Sequence, residues 1–131
     1  MHSYKNNSDH TIKAVAAYYP PTHLAQGYDA LPDSKALIEL VTGGTPADVP
    51  DIYFESSPIY YTSTAIPSIL FHGNTDNVVP VQQTMWLVDS LNTKGKMVDS
   101  WIIPAEGHGL SGAKMVETIE RIGVFFSNHN P

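Results

Sequence analysis

Two short polar stretches of the sequence each follow an apolar run and carry one residue suited to proton transfer. The first is HGNTDNVVPV at residues 72–81, which contains Asp76, and the second is PAEGHGL at residues 104–110, which contains His108. A carboxylate that accepts the Nδ1–H of an imidazole fixes the tautomer of the ring and stabilises the imidazolium during proton transfer. These residue types therefore predict an acid–histidine pair for general acid–base catalysis, if the fold brings the two loops together.

The elements around these loops alternate between strands and helices. Residues 22–32 read as a loop, and a short helix is expected around residues 47–54. Apolar runs of strand length occupy 11–19, 68–73 and 96–104, while helical patterns occupy 34–41, 80–95 and 112–129. Such alternation predicts an α/β fold, with about three parallel strands and flanking helices. Because the loops after parallel strands meet at one edge of the sheet, Asp76 and His108 are expected to lie close together.

Simpler interpretations exist for each of these residues. Asp76 alone is more typical of a cap for the helix that begins near Pro80, and an isolated histidine is more often a surface residue. Glu106 competes with Asp76 as the acid, but it lies only two residues before His108, which is poor geometry for orienting the ring. His72 is interpreted as a structural residue that donates to the backbone near the end of its strand.

Three segments resemble α/β-hydrolase esterases and lipases, including the feruloyl-esterase-like and prolyl-oligopeptidase-like branches. HGNTDNVVPVQQTMWLVDSL is similar to their HGxxDxxVP segment, PAEGHGL to their terminal GHG loop, and residues 36–61 to the segment before the acid strand. The resemblance covers most of residues 11–127. It implies that Asp76 is the triad acid and His108 the general base, in the chain order Ser…Asp…His.

The sequence departs from that family at the nucleophile. It contains no G-x-S-x-G, and Ser111, in the nearest similar string, GHGLSGA, lies after the histidine. The resemblance therefore implies the C-terminal part of an α/β-hydrolase fold, with a polar leader at 1–10 and a partial domain at 11–131. The implied function is that of a serine-type carboxylic-ester hydrolase, inactive as an isolated chain. The alternatives are a portion of a prolyl-oligopeptidase-like peptidase and a non-catalytic truncated α/β module.

Tyr19, Pro20 and His23 stand where the first strand ends. They are expected to line a substrate pocket for a small-molecule ester, although the tyrosine suits plain packing equally well. The chain has no cysteine, and its histidines lack the H-x-H or H-x-x-x-H spacing of metal ligands. No metal and no organic cofactor are therefore expected.

Charge and apolar patterning exclude some partners and suggest another. The formal net charge is −6 and the seven lysine and arginine residues are scattered, which disfavours nucleic-acid binding. No apolar run approaches the ~18 residues that a membrane helix needs, so a soluble protein is expected, with its compartment left open. An unpaired edge on the first strand would invite another chain, so either a homodimer across that edge or a marginally stable chain is expected.

Overall fold

The computed structural model describes residues 2–30 and 34–129. Three parallel strands form one sheet in the order β1-β2-β3, with β1 at Val15–Tyr18, β2 at Ser68–Gly73 and β3 at Val98–Ile103. In register, Ser68 lies opposite both Val15 and Val98. The predicted α/β architecture, three parallel strands with flanking helices, is confirmed.

The four predicted helices are present in the predicted order, and two further α-helices and a 3₁₀ segment are added to them among the described residues. The helices are α1 His2–Lys5, α2 Leu24–Ala30, α3 Lys35–Thr42, α4 Pro50–Glu55, α5 Gln82–Thr93 and α6 Gly112–His129, and a 3₁₀ segment occupies Pro58–Thr64. Gly43 ends α3 in the left-handed conformation, with φ 88°, which glycine adopts without steric cost. This glycine ends the helix close to the predicted bound at residue 41.

The loop predicted for residues 22–32 is wrong over residues 24–30, which form α2. The helix depends on contacts from distant parts of the chain: the Leu24 amide donates to Ser57 Oγ over 2.9 Å. Gly27 leaves room for Gln83, whose Nε2 would lie 2.6 Å from a Cβ at that position. Local sequence patterns do not record such long-range support. Residues 22 and 23 are not helical, as predicted, and residues 31 and 32 of that predicted loop lie outside the described residues.

Strand β2 is buried along its whole length, as its continuous apolar run predicted. Its side chains alternate between two apolar clusters, one on each face of the sheet. On one face Leu70 packs with Leu87 and Leu91 of α5, and on the other Phe71 packs with Phe125 of α6. The sheet is thus covered by α5 on one side and by α6 on the other.

The segment expected to be a polar leader also contributes to this core. Tyr4 of α1 is only 6% exposed and belongs to the cluster of Leu70 and Leu91. Its hydroxyl lies 2.6 Å from Ser68 Oγ at the start of β2. Residues before the predicted boundary at 11 therefore pack against the domain. In residues 2–30 and 34–129, no helix is long and apolar enough to cross a membrane.

Candidate active site

The loops that follow β2 and β3 meet at the carboxyl edge of the sheet and are tied to one another. The Asn74 amide donates to the Ile103 carbonyl over 3.0 Å, and the Thr75 amide donates to the Glu106 carbonyl over 3.0 Å. In return, the Ala105 amide donates to Asn74 Oδ1 over 2.8 Å. These bonds hold the two loops as one unit, so the residues on them keep a defined separation.

Gly73 permits this close approach. A Cβ at that position would overlap the backbone of Glu106 and of Gly107. The glycine is required here by the space between the two loops, because its φ is not positive. The last residue of β2 thus lets the loop after β3 fold directly across it.

Asp76 lies at the centre of the joined loops with no exposed side-chain surface. Its Oδ1 accepts the amide protons of Val78 and Val79, each over 2.8 Å. Burial alone raises the pKa of this carboxyl, but the Val79 amide and the His108 imidazole outweigh burial and hold the pKa below its usual range. The carboxylate therefore closes the turn at Val78 and Val79 as a stable anion. It does not cap α5, whose N-cap residue is Val81 with no side-chain cap hydrogen bond.

His108 accompanies that anion. Its Nδ1 donates to Asp76 Oδ2 over 2.9 Å, and 37% of its side chain is exposed. Because Nδ1 carries the proton in this bond, Nε2 is the nitrogen of the neutral ring that can accept one. The structure thus places Asp76 and His108 in hydrogen-bond contact, with the histidine facing outward.

The three residues predicted to bind substrate are placed differently from one another. Tyr19 has a positive φ of 48°, and its ring centroid is 4.8 Å from that of His108. Its hydroxyl is buried with no hydrogen-bond partner in the part of the chain that the structure describes, and burial raises the pKa of this phenol. His23 lies apart, with Nε2 3.2 Å from Tyr60 Oη. Pro20 is half-buried beside Tyr19.

An apolar groove of about 300 Å³ lies beside the Asp76 loop. Val78 and Val79 form part of its wall, directly after the acid, and Leu37 and Val41 of α3 form another part. Pro20, Tyr19 and His23 are not among its lining residues. None of the three residues predicted to bind substrate thus lies on this groove. The apolar pair Val78–Val79 next to the acid was the signal for it.

The competing residues have other partners. Glu106 accepts the Ser111 hydroxyl over 2.6 Å and the Ser111 amide over 2.9 Å, and these bonds lower the pKa of its carboxyl. Glu106 therefore supports the start of α6, and the hydrogen-bond partner of His108 is Asp76. His72 is fully buried, with Nε2 2.8 Å from the Val79 carbonyl, which agrees with its structural interpretation. Within residues 2–30 and 34–129, no group of three or more acids and histidines is arranged to hold a metal.

A parallel sheet whose successive loops deliver an aspartate and then a histidine to one edge is the arrangement of an α/β-hydrolase. The chain belongs to the prolyl oligopeptidase family, which it matches over residues 4–130. This is a family of hydrolases within the α/β-hydrolase superfamily.

Relatives and solved structures agree with this assignment. The chain is 31% identical over 83 residues to the esterase LipC of Mycobacterium tuberculosis, covering 60% of this chain and 21% of LipC. It is 31% identical over 75 residues to the uncharacterized peptidase YtmA of Bacillus subtilis, covering 56% of this chain and 29% of YtmA. A puromycin-hydrolyzing peptidase of M. tuberculosis shares the fold with a TM-score of 0.83 at 22% identity, over 98% of this chain and 20% of that protein.

The chain thus spans 20% to 29% of the length of each of these proteins. Both an esterase and a peptidase are among them. Membership of the family consequently establishes the hydrolase superfamily and leaves the choice between ester and peptide bonds open.

Proposed function

We propose that this chain carries the acid and the base of a serine-type hydrolase site. The proposal rests on the 2.9 Å hydrogen bond between His108 Nδ1 and Asp76 Oδ2. In such a site a serine hydroxyl attacks the substrate carbonyl while the histidine Nε2 takes its proton. The same proton then passes to the leaving group as the bond to the carbonyl carbon breaks, and water later hydrolyses the acyl-serine. His108 would be the base and then the acid, and Asp76 would orient it.

The nucleophile of this proposal lies outside the 131 residues of the chain. Their sequence contains no G-x-S-x-G, and they match only 21% of LipC. Without a nucleophilic serine, the pair can at most act as a weak base towards water. The isolated chain is therefore expected to show no burst with p-nitrophenyl acetate and no labelling by a fluorophosphonate. Stoichiometric labelling of a serine in this chain would place the nucleophile within it and overturn this part of the proposal.

We propose a carboxylic ester with an apolar acyl or aryl group as the substrate. The groove beside the Asp76 loop is lined by uncharged residues, most of them apolar, including Leu24, Leu37 and Val79. An uncharged apolar group enters such a site without the cost of desolvating a charge. The similarity to the esterase LipC supports the same choice.

A peptidase is the second candidate. The family match and the similarity to YtmA support it, and the groove would then receive an apolar side chain of a peptide. The two candidates differ in the leaving group, an alcohol or an amine. Matched substrates, p-nitrophenyl acetate and an acylated alanine p-nitroanilide, distinguish them. Turnover of the ester alone supports the esterase, and a higher kcat/KM for the anilide replaces it with the peptidase.

The role of the pair is tested in the natural gene product that carries these residues. His108→Gln is expected to lower kcat by about a million-fold, and Asp76→Asn by about ten-thousand-fold, because both act on the same proton transfer. His10→Asn is the control, because His10 is exposed with a φ of 55°, a conformation that asparagine tolerates. Full activity in the His108 variant would overturn the proposed function.

A further inference from the structure

His72 is a buried histidine that the proposed reaction does not use directly. It is the last but one residue of β2, and its side chain has no exposed surface. Its Nδ1 lies 2.7 Å from Thr84 Oγ1 on α5. Its Nε2 lies 2.8 Å from the Val79 carbonyl and 3.2 Å from Asp76 Oδ2. The ring therefore stands between α5 and the carboxylate that binds His108.

These neighbours determine which nitrogen of His72 carries the proton. A carbonyl and a carboxylate face Nε2, and both only accept hydrogen bonds. Nε2 must therefore be the donor in the neutral ring. Nδ1 is then the acceptor, and the Thr84 hydroxyl supplies the proton that it receives. The result is a hydrogen-bonded series from Thr84 through His72 to the Val79 carbonyl, with Asp76 Oδ2 beside it.

We infer that His72 is a positioning residue that holds Asp76 Oδ2 in line with His108. Oδ1 already accepts hydrogen bonds from two backbone amides. These two bonds hold Oδ1 in place but do not by themselves hold Oδ2. The His72 N–H, which donates to the Val79 carbonyl, also lies 3.2 Å from the oxygen that receives His108, and this polar contact opposes any rotation of Oδ2 away from the imidazole. This inference rests on the proposed function, and it adds a residue to the same site.

The experiment compares His72→Gln with His72→Met in the natural gene product, with p-nitrophenyl acetate as the probe. Glutamine keeps an amide N–H near the position of Nε2, while methionine fills a similar volume without a donor. Removing a donor so that a buried acceptor is left unpaired corresponds to about a 10- to 100-fold effect. We therefore expect kcat of the methionine variant to fall by about that factor with KM nearly unchanged, and the glutamine variant to recover most of it.

A control separates positioning from loss of stability. Thr118 is also fully buried, and its hydroxyl lies 2.7 Å from Tyr18 Oη, outside the acid loop. Thr118→Val is expected to lower Tm without lowering kcat of the folded fraction. If His72→Met also lowered only Tm, while His108→Gln abolished turnover, positioning by His72 would be refuted and the proposed function would stand.

A spectroscopic readout decides the inference without turnover. Long-range ¹H–¹⁵N correlation on histidine-labelled protein reports the tautomer of each ring. We expect His72 in the Nε2–H form and His108 in the Nδ1–H form, with the His108 Nδ1 proton shifted downfield by its carboxylate. His72→Met should move that proton upfield and mix the His108 tautomers. An unchanged His108 signal in that variant would refute the inference, whatever the kinetics show.

Discussion

At the Asp76 carboxylate, two backbone amides and the His108 imidazole donate to two oxygen atoms, and His72 Nε2 lies 3.2 Å from Oδ2. No side-chain surface of Asp76 reaches solvent, so these donors replace the water that a carboxylate otherwise binds. Hydrogen bonds to an ionised acceptor are about twice as strong as those between neutral groups. The anion is therefore maintained at neutral pH in a site that burial alone would make unfavourable for it.

The lowered pKa of Asp76 predicts how acid affects stability. A carboxyl whose pKa is lower in the folded state stabilises the fold above its unfolded pKa of about 3.9, and this stabilisation is lost as the pH falls through the folded pKa. Asp76→Asn removes the titrating group. We expect its destabilisation, measured by urea unfolding, to be largest near pH 7 and to shrink below about pH 4.

The control for this measurement is Asp89→Asn, which changes an exposed aspartate of α5. Its unfolding curves are expected to follow those of the unchanged chain across the same pH range. If the difference between Asp76→Asn and the unchanged chain were constant from pH 7 to pH 2, the hydrogen bonds to Asp76 would not favour its charged form.

At the scale of elements, the site depends on how closely the loop after β3 crosses the end of β2. Gly73 provides the space, and the bonds from Asn74 and Thr75 then fasten the two loops together. His108 is five residues beyond the end of β3 at Ile103, so its position is set by this crossing. A change in backbone separation at Gly73 is expected to reach the imidazole.

Gly73→Ala tests this dependence. The new methyl group would overlap the backbone of Glu106, so the loop must move outward and take His108 away from Asp76. We expect loss of the downfield His108 Nδ1 proton and of the activity of the natural gene product. Gly123→Ala is the matched control, because nothing lies within 4 Å of a Cβ at that helical position, and alanine favours a helix more than glycine does. A normal His108 signal in Gly73→Ala would contradict the argument.

Helix α6 shows why the position of an element could be predicted better than its orientation. Helical spacing places Met115, Ile119, Ile122 and Phe126 on one side of it. Ile122 packs against the core cluster, yet Ile119 and Phe126 are 58% and 37% exposed. The sheet instead buries Thr118 and Phe125. Two apolar stripes lie side by side on this helix, and Thr118 is accommodated inside because its hydroxyl reaches Tyr18 Oη. Helical periodicity alone does not choose between such neighbouring stripes.

At the scale of the whole molecule, β1 is an edge strand of a three-stranded sheet. The amides of Val15 and Tyr19 donate towards β2, so Ala16 and Tyr18 present their backbone groups on the other side. An apolar strand with such an edge is a template for another strand. We propose that, in the isolated chain, the edge pairs with a second copy, as the sequence suggested.

Ala16→Pro tests this pairing. Proline removes the outward N–H of Ala16 and leaves the bonds of β1 to β2 in place. We expect light scattering after size exclusion at micromolar concentration to give about twice the chain mass of 14.3 kDa for the unchanged protein and the single mass for the variant. A monodisperse monomer of the unchanged chain under these conditions would contradict the proposal.

Local pattern was sufficient for the strands, for most helix positions and for the two loops that carry Asp76 and His108. Apolar runs ended by Gly73 and Pro104 mark the strands wherever they lie in space, and parallel strands necessarily present their following loops at one edge. The proximity of Asp76 and His108 could therefore be predicted from the sequence.

Contacts between distant residues decided the rest. Helix α2 needs Ser57, the core needs Tyr4, and the groove needs α3 and the Asp76 loop to face each other. The link from Thr84 through His72 to Asp76 likewise joins α5, a strand and a loop. These arrangements depend on distances that only packing sets, because each partner is chemically ordinary until the fold places the other beside it.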